Sequence, residues 1–175
     1  MIYQKTTDMV QIKKCTFEHI TKSYPCKEKS VLDGCMIMRQ SIKPEDVQSP
    51  FQVEAYALLF CISGEVNIIS DLRSYTVTPG TLFVYLPNNI IKIDCKKESI
   101  ISEVILASDY LRKNFLQWNK ISPLFIQTTN NPVITIPTNR RDELIRMLDN
   151  IQERIKTATC SEWNRKAYHA ALKTF

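Results

Sequence analysis

Residues 51–93 read FQVEAYALLFCISGEVNIISDLRSYTVTPGTLFVYLPNNIIKI, and this stretch decides the fold. Short runs rich in Ile, Val, Phe and Tyr alternate here with turn signals at Ser63-Gly64, Ser70-Asp71 and Pro79-Gly80. Such runs, bounded by Gly, Pro, Asp and Ser, are typical of β-strands joined by tight turns. The stretch therefore predicts a succession of closely spaced strands.

The same pattern continues on both sides of this stretch. The predicted strands are Cys35–Ile42, Tyr56–Ile62, Glu65–Ser70, Ser74–Val77, Thr81–Leu86, Ile90–Asp94 and Ser99–Leu106. Their close, regular spacing favours a sandwich or barrel over alternating βαβ units. In the runs YALLFCI and TLFVYL both alternating sets of positions are apolar, so both faces of those strands should be covered. A closed barrel covers one face, and helices or a partner subunit could cover the other.

Helical spacing replaces this pattern after Leu106. Ser108 is a suitable N-cap for a helix whose apolar positions are Tyr110, Leu111, Phe115 and Trp118. An extended piece is predicted around Pro132–Pro137, and Thr138 or Asn139 then opens a long helix. One face of that helix carries an apolar stripe of Leu144, Leu148, Ile151 and Ile155.

A further helix is predicted after a break at residues 157–160. Ser161 is its N-cap, and apolar residues recur at helical spacing up to Phe175 without a C-cap signal. The chain is therefore expected to stop inside a helix, as a truncated protein would.

Composition argues against several kinds of site. The chain has 3 glycines, where average usage would give about a dozen. It contains neither GxGxxG nor GxxxxGK[ST], so a phosphate-binding loop is not expected. The net charge of +5 is mild and mixed with acidic residues, unlike the dense basic patches that bind nucleic acid.

Targeting and redox signals are also weak. No signal peptide is apparent and no apolar run approaches the ~18 residues of a membrane span, so we expect a soluble, cytoplasmic protein without a membrane partner. The 6 cysteines include no CxxC pair. We expect reduced thiols, with Cys35 and Cys61 buried as small hydrophobic residues.

The turns and strands of residues 51–93 resemble the cupin barrel found at the N-terminus of AraC-type transcription regulators. The resemblance is carried by the strand ending at Ser63-Gly64-Glu65, the short strand between Ser74-Tyr75 and Pro79-Gly80, and the strand ending at Pro87. It extends over about residues 35–175. It implies a mainly β fold with C-terminal helices, in which a cupin-like jelly-roll barrel (a double-stranded β-helix) precedes a helical dimerisation segment.

That resemblance divides the chain into three parts. Residues 1–34 would form an N-terminal arm and first strands, and residues 35–136 a ligand-binding barrel. Residues 137–175 would form a dimerisation segment, truncated before a DNA-binding domain. The arm around Tyr24-Pro25 and the tip Pro87-Asn88-Asn89 could close over the barrel mouth.

Enzymatic cupins hold a metal ion with His and Glu at set positions, and this sequence departs from them. Those positions hold Phe51, Val53, Ala57 and either Ile91 or Lys92. None of these side chains supplies the imidazole or carboxylate that such metals require. The histidines, His19 and His169, lie in the arm and the last predicted helix. We expect no metal, no cofactor and no catalytic residue.

A metal-free barrel is either a packed core or a small-molecule pocket. The candidate ligand-binding residues are a guanidinium, two aromatic pairs and one acceptor, namely Arg39, Tyr56, Phe60, Phe83, Tyr85 and Glu103. A planar polar fork beside aromatic faces suits a sugar ring or an amphipathic metabolite. The alternatives are a strand-end charge for Arg39, ordinary core packing for the aromatic residues and solvent exposure for Glu103.

The resemblance implies that the chain is the ligand-sensing and dimerising half of an AraC-type regulator, and not an enzyme. Its partners would be a small-molecule effector such as a sugar, a second copy bound through the C-terminal helices, and DNA through the missing domain alone. The stripe of Leu144, Leu148, Ile151 and Ile155 is either that dimer interface or a face packed on its own domain.

Two alternatives stay open. A metal-independent cupin epimerase or isomerase would use Tyr56 or Tyr85 with Glu103. A cyclic-nucleotide-binding regulator is disfavoured, because Gly64-Glu65 falls at a hairpin and no Arg follows in a comparable cassette.

Overall fold

A computed structural model describes residues 12–23, 28–46, 49–114, 123 and 126–158. The strands are β1 (Lys13–Cys15), β2 (Glu28–Leu32), β3 (Cys35–Ile42), β4 (Phe51–Val53), β5 (Tyr56–Ser63), β6 (Val66–Ser70), β7 (Arg73–Val77), β8 (Thr81–Tyr85), β9 (Ile90–Asp94), β10 (Ser99–Leu106) and β11 (Val133–Thr135). The helices discussed below are α1 (Phe17–Ser23), α2 (Ser108–Asn114) and α3 (Thr138–Ala158).

The strands form two sheets with the order of a jelly roll. One sheet runs β1-β4-β9-β6-β7 and the other β11-β8-β5-β10-β3-β2. Between β3 and β10 every connection except the β6–β7 hairpin crosses from one sheet to the other. The facing sets β4-β9-β6-β7 and β3-β10-β5-β8 are those of an eight-stranded jelly roll. The predicted jelly-roll barrel is confirmed by this strand order.

The barrel core lies between the two sheets. Val66, Ile68 and Ile91 from one sheet belong to the same buried cluster as Met38 and Leu59 from the other. These residues alternate with outward-facing ones along each strand, as the two-residue period of a strand requires.

The turn at Ser63-Gly64 was predicted to be a hairpin, but it joins β5 of one sheet to β6 of the other and is a crossover. The turn depends on its glycine. Gly64 has φ +85, in the left-handed region that favours glycine. A Cβ atom there would collide with Ser99. The Ser99 hydroxyl donates to the Glu65 carbonyl over 3.0 Å and accepts from the Glu65 amide, also over 3.0 Å. The turn is therefore fixed against the first residue of β10.

The outer face of the six-stranded sheet is covered by α3. Leu148, Ile151 and Ile155 are buried there in one cluster with Ile37 of β3 and Val104 of β10. Within the described residues the stripe thus packs on its own domain, while Leu144 is half-buried beside it. The predicted homodimer through this stripe stays a prediction.

Most predicted elements coincide with observed ones, and the remainder lie outside the described residues. The predicted bounds of β3, β9 and β10 are confirmed, and the long helix begins at Thr138. Cys35 and Cys61 are buried, as predicted. The second C-terminal helix, the positions of Phe115 and Trp118, and the arm around Tyr24-Pro25 lie outside the described residues. No helix among the described residues is long and apolar enough to cross a membrane.

Candidate functional site

A cavity of about 340 Å³ opens between the two sheets, at the end of the barrel where β1, α1 and β4 lie. Sites for metabolites typically measure about 300–1,000 Å³. Its apolar walls include Met38, Phe51, Val53, Ala57, Ile93 and Ile105. The polar side chains on its lining include Lys13, His19, Tyr85 and Glu103. A mostly apolar wall with a few polar groups is the usual composition of a small-molecule site.

Glu103 supplies a buried carboxyl group to this cavity. It lies on β10 between Met38 of β3 and Leu59 of β5, and its side chain points into the barrel with 3% of the residue exposed. Gln40 Nε2 donates to its Oε2 over 3.2 Å. Burial raises the pKa of Glu103 to about 7, and the hydrogen bond from Gln40 acts in the opposite direction. The alternative that Glu103 faces solvent is wrong.

Tyr85 lines the cavity from β8, and Phe83 lies behind it. The two rings are tilted, with centroids 5.1 Å apart. Phe83 also meets Tyr75 of the facing sheet edge-on at 5.4 Å and is fully buried. Phe83 is therefore a core residue that supports Tyr85 from outside the cavity lining.

Two elements of the N-terminal segment, β1 and α1, form a wall of the cavity, whereas the sequence predicted only that the arm around Tyr24-Pro25 could close over the barrel mouth. Pairing of β1 with β4 brings Lys13 and Cys15 to it, and α1 brings His19 and Ile20. Burial raises the pKa of the Cys15 thiol, while nearby Lys13 acts to lower it. A local signal could have predicted the start of α1, because a Thr directly before Phe-Glu-His-Ile is a typical helix start. It could not have predicted the pairing of β1 with β4, which brings the segment to the cavity.

His19 is the most informative of these missed residues. Its backbone amide donates to the capping Thr16 Oγ1 over 3.1 Å, which fixes the start of α1. Its Nε2 is buried and has no hydrogen-bond partner among the residues that the structure describes. The sequence placed His19 in an arm remote from the barrel motif, and the structure corrects this by placing it on the cavity.

Three of the six predicted ligand-binding residues lie on the wrong face of the sheet. Met36 and Met38 point inward from β3, so Arg39 points outward, where its Nη2 pairs with Asp149 Oδ1 of α3 at 2.6 Å. Phe60 is buried in the cluster under α3, and Tyr56 has the same parity on β5. Arg39, Tyr56 and Phe60 therefore do not line the cavity. Both faces of these strands are covered, so an apolar pattern alone does not distinguish inside from outside.

Three of the positions at which the resemblance implies metal ligands in enzymatic cupins lie on this cavity. Phe51, Val53 and Ala57 line it, and Ile91 is buried opposite Phe51 in the β4–β9 pair. The side chains of these residues are hydrocarbon and have no donor atom for a metal ion. Within the described part of the chain, no group of three or more His, Cys, Asp or Glu is placed to hold one.

The tip predicted to close the barrel is attached to the cavity wall. The Asn88 amide donates to the Val53 carbonyl over 2.7 Å, and the Val53 amide donates to the Asn89 carbonyl over 3.0 Å. The tip thus continues the pairing of β9 with β4 beside the cavity.

Comparison with known proteins gives structural similarity alone. No protein-family model matches this sequence, and no curated protein matches it either. Among solved structures, the EutQ protein of Clostridium difficile is 16% identical with a TM-score of 0.37, over 44% of this chain and 60% of EutQ. A cupin superfamily protein of Desulfitobacterium hafniense is 18% identical with a TM-score of 0.43, over 45% of this chain and 72% of that protein.

A third similar structure is a cupin-2 domain protein of Shewanella frigidimarina. It is 10% identical with a TM-score of 0.40, over 50% of this chain and 87% of that protein. This chain spans 60% of the length of EutQ. The assignment of the barrel as a jelly roll rests on the strand order of this chain itself.

Proposed function

We propose that this chain is a ligand-sensing module in which a small molecule binds the barrel cavity and alters the packing of α3 on the six-stranded sheet. The observation that carries this proposal is the cavity of about 340 Å³, with apolar walls and a few buried polar groups. In this chain, the positions that hold metal ligands in enzymatic cupins are occupied by Phe51, Val53 and Ala57. These side chains form an apolar cavity surface and have no ligating atom, which favours ligand binding without a metal.

The cavity and α3 share two strands, which gives a physical route between them. On β10, Glu103 and Ile105 line the cavity, while Val104 between them packs in the cluster under α3. On β3, Met38 lines the cavity, and its neighbour Ile37 packs in the cluster under α3. A ligand that shifts these strands also shifts the surface on which α3 rests. Such coupling requires that the ligand bind one arrangement of the strands and α3 more tightly than the other.

The regulatory part of the proposal follows the resemblance to AraC-type proteins. In that arrangement the C-terminal helices form a homodimer, and a separate domain binds DNA. Leu148, Ile151 and Ile155 are occupied by contacts with their own sheet. A dimer in which they meet a partner therefore requires α3 to leave the sheet, and this is a movement that an effector could control.

A ligand screen by thermal unfolding tests the sensor proposal. Saturable binding stabilises the folded state by about 2.7 kcal/mol at a ligand concentration one hundred times Kd. Ala57→Leu places a larger side chain in the cavity, and Thr76→Leu makes a comparable change at an exposed position on β7. We expect the ligand to stabilise the wild-type chain and Thr76→Leu but not Ala57→Leu. Equal stabilisation of all three would place the ligand elsewhere and contradict the proposal.

A metal-independent epimerase or isomerase is the second candidate. It is favoured by one observation, the presence of His19, Tyr85 and Glu103 on a single cavity. A carboxyl with a pKa of about 7 suits general acid–base catalysis near neutral pH. Turnover of a sugar nucleotide that Glu103→Gln abolishes would support this candidate. Saturable binding without turnover supports the sensor.

A further inference from the structure

Among the described residues, the carboxyl group of Glu103 is buried without a basic partner. It is 3% exposed and lines the cavity, and no ion pair joins it to a Lys, Arg or His among the residues described. Lys13 lies on the same cavity but is exposed at its rim. A buried carboxylate without a compensating charge is costly, and a cation brought next to it recovers part of that cost.

A hydrogen bond from Gln40 stabilises the ionised form of this carboxyl group. The amide Nε2 donates to Glu103 Oε2 over 3.2 Å, and a hydrogen bond donated to a carboxylate favours the charged state. The other titratable groups on the cavity are Lys13, Cys15, His19 and Tyr85. Burial works against this ionised form and raises the pKa of Glu103 to about 7, so a nearby cation would shift it toward ionisation.

We propose that the cavity selects organic amines, with the ammonium group of the ligand paired to the Glu103 carboxylate. The hydrocarbon part of the amine lies against Met38, Phe51, Ile93 and Ile105. This inference rests on the proposed function, because it assumes that the cavity binds a ligand. It replaces the sugar that the sequence suggested, since a sugar would present many hydroxyls to walls that are mainly hydrocarbon.

Calorimetric titration of the full chain with three matched probes tests this selectivity. The probes are 2-phenylethylamine, 2-phenylethanol and 3-phenylpropionate, which share an aromatic body and differ in charge. Near pH 8 the Glu103 carboxyl is ionised and the amine is still protonated. We expect the amine to bind about tenfold or more tightly than the alcohol, as for a charge-assisted hydrogen bond. We expect the acid to bind weakest.

Two variants and a change of pH test whether the Glu103 carboxylate causes the preference for the amine over the alcohol. Glu103→Gln keeps the size of the side chain and should abolish the preference for the amine over the alcohol. Glu65→Gln removes an exposed carboxylate at the β5–β6 turn and should leave the preference intact. Titration near pH 6, below the Glu103 pKa of about 7, should weaken amine binding to the wild-type chain several-fold while alcohol binding changes little.

The outcomes separate this inference from the proposed function. If the alcohol or the acid binds as tightly as the amine, and Ala57→Leu abolishes that binding, the cavity is a ligand site and amine selection is wrong. If the amine preference survives in Glu103→Gln, Glu103 is not its determinant and the inference is overturned. If none of the three probes binds at millimolar concentration, the inference is also overturned. The proposed function is then tested separately by the ligand screen with Ala57→Leu.

Discussion

At the scale of single residues, Glu103 places a carboxyl group in the barrel interior, where it is 3% exposed. Its pKa is raised from 4.5 to about 7 by burial, so the folded chain binds this proton more tightly than the unfolded chain does. Its contribution to stability is therefore fully present below about pH 4.5 and is lost as pH rises to about 7. Glu103→Gln should flatten this part of the stability profile and should raise stability near pH 8, where it removes a buried charge.

Urea unfolding at several pH values measures this effect. Glu98→Gln is the matched control, because Glu98 is an exposed carboxylate outside the cavity. The control should keep the wild-type profile between about pH 4.5 and 7, which are the ordinary and shifted pKa values of Glu103. A wild-type profile with the same slope as that of Glu103→Gln would show that the carboxyl is not buried in the folded chain.

Gly64 carries a second prediction at this scale. Gly64→Ala imposes a side chain at φ +85 and against Ser99, so it should cost about 1–3 kcal/mol of stability. The neighbouring, exposed Ser63→Ala should change stability by less than about 0.5 kcal/mol. If both variants unfold at the wild-type urea concentration, the β5–β6 turn does not have the described conformation.

At the scale of elements, α3 is held to the sheet by apolar contacts more than by its ion pair. Ile151 is buried in the cluster under α3, and Ile151→Ala should cost about 2–4 kcal/mol. The Arg39–Asp149 pair has side chains 29% and 46% exposed, so Asp149→Asn should cost less than about 1 kcal/mol. Chemical unfolding distinguishes the two, with exposed Asn150→Ala as control. A larger loss from Asp149→Asn than from Ile151→Ala would contradict this ranking.

The bounds of several strands could be predicted from the sequence, but the orientation of their side chains could not. The bounds of β3, β9 and β10 could be predicted because apolar runs and turn signals are local properties of the chain. The inward orientation of Glu103 and the outward orientation of Arg39 could not, because both faces of β3 and β10 are covered. The role of His19 was missed for another reason. It depends on the pairing of β1 with β4, across more than thirty residues of chain, and no local pattern encodes that pairing.

At the scale of the whole molecule, the proposed regulator is a homodimer formed through its C-terminal helices. That dimer requires α3 to leave the sheet, so sedimentation velocity at high micromolar concentration should show it in at least one of two states, with or without the strongest binder from the thermal screen. Leu144 is half-buried at the margin of the stripe, so Leu144→Glu should weaken the dimer while leaving the barrel folded. The exposed Asn150→Ala should not weaken it. A monomer at all concentrations, both with and without that binder, would contradict the proposed assembly and leave the cavity argument intact.

Occupancy of the cavity should change the packing of α3 on its sheet, and amide hydrogen exchange tests this coupling most directly. Exchange is measured on the wild-type chain and on Ala57→Leu, each with and without the strongest binder from the thermal screen. We predict that the ligand changes exchange in α3 as well as in β3 and β10 of the wild-type chain, and changes none of them in Ala57→Leu. A ligand that protects β3 and β10 but leaves exchange in α3 unaltered would contradict the claim.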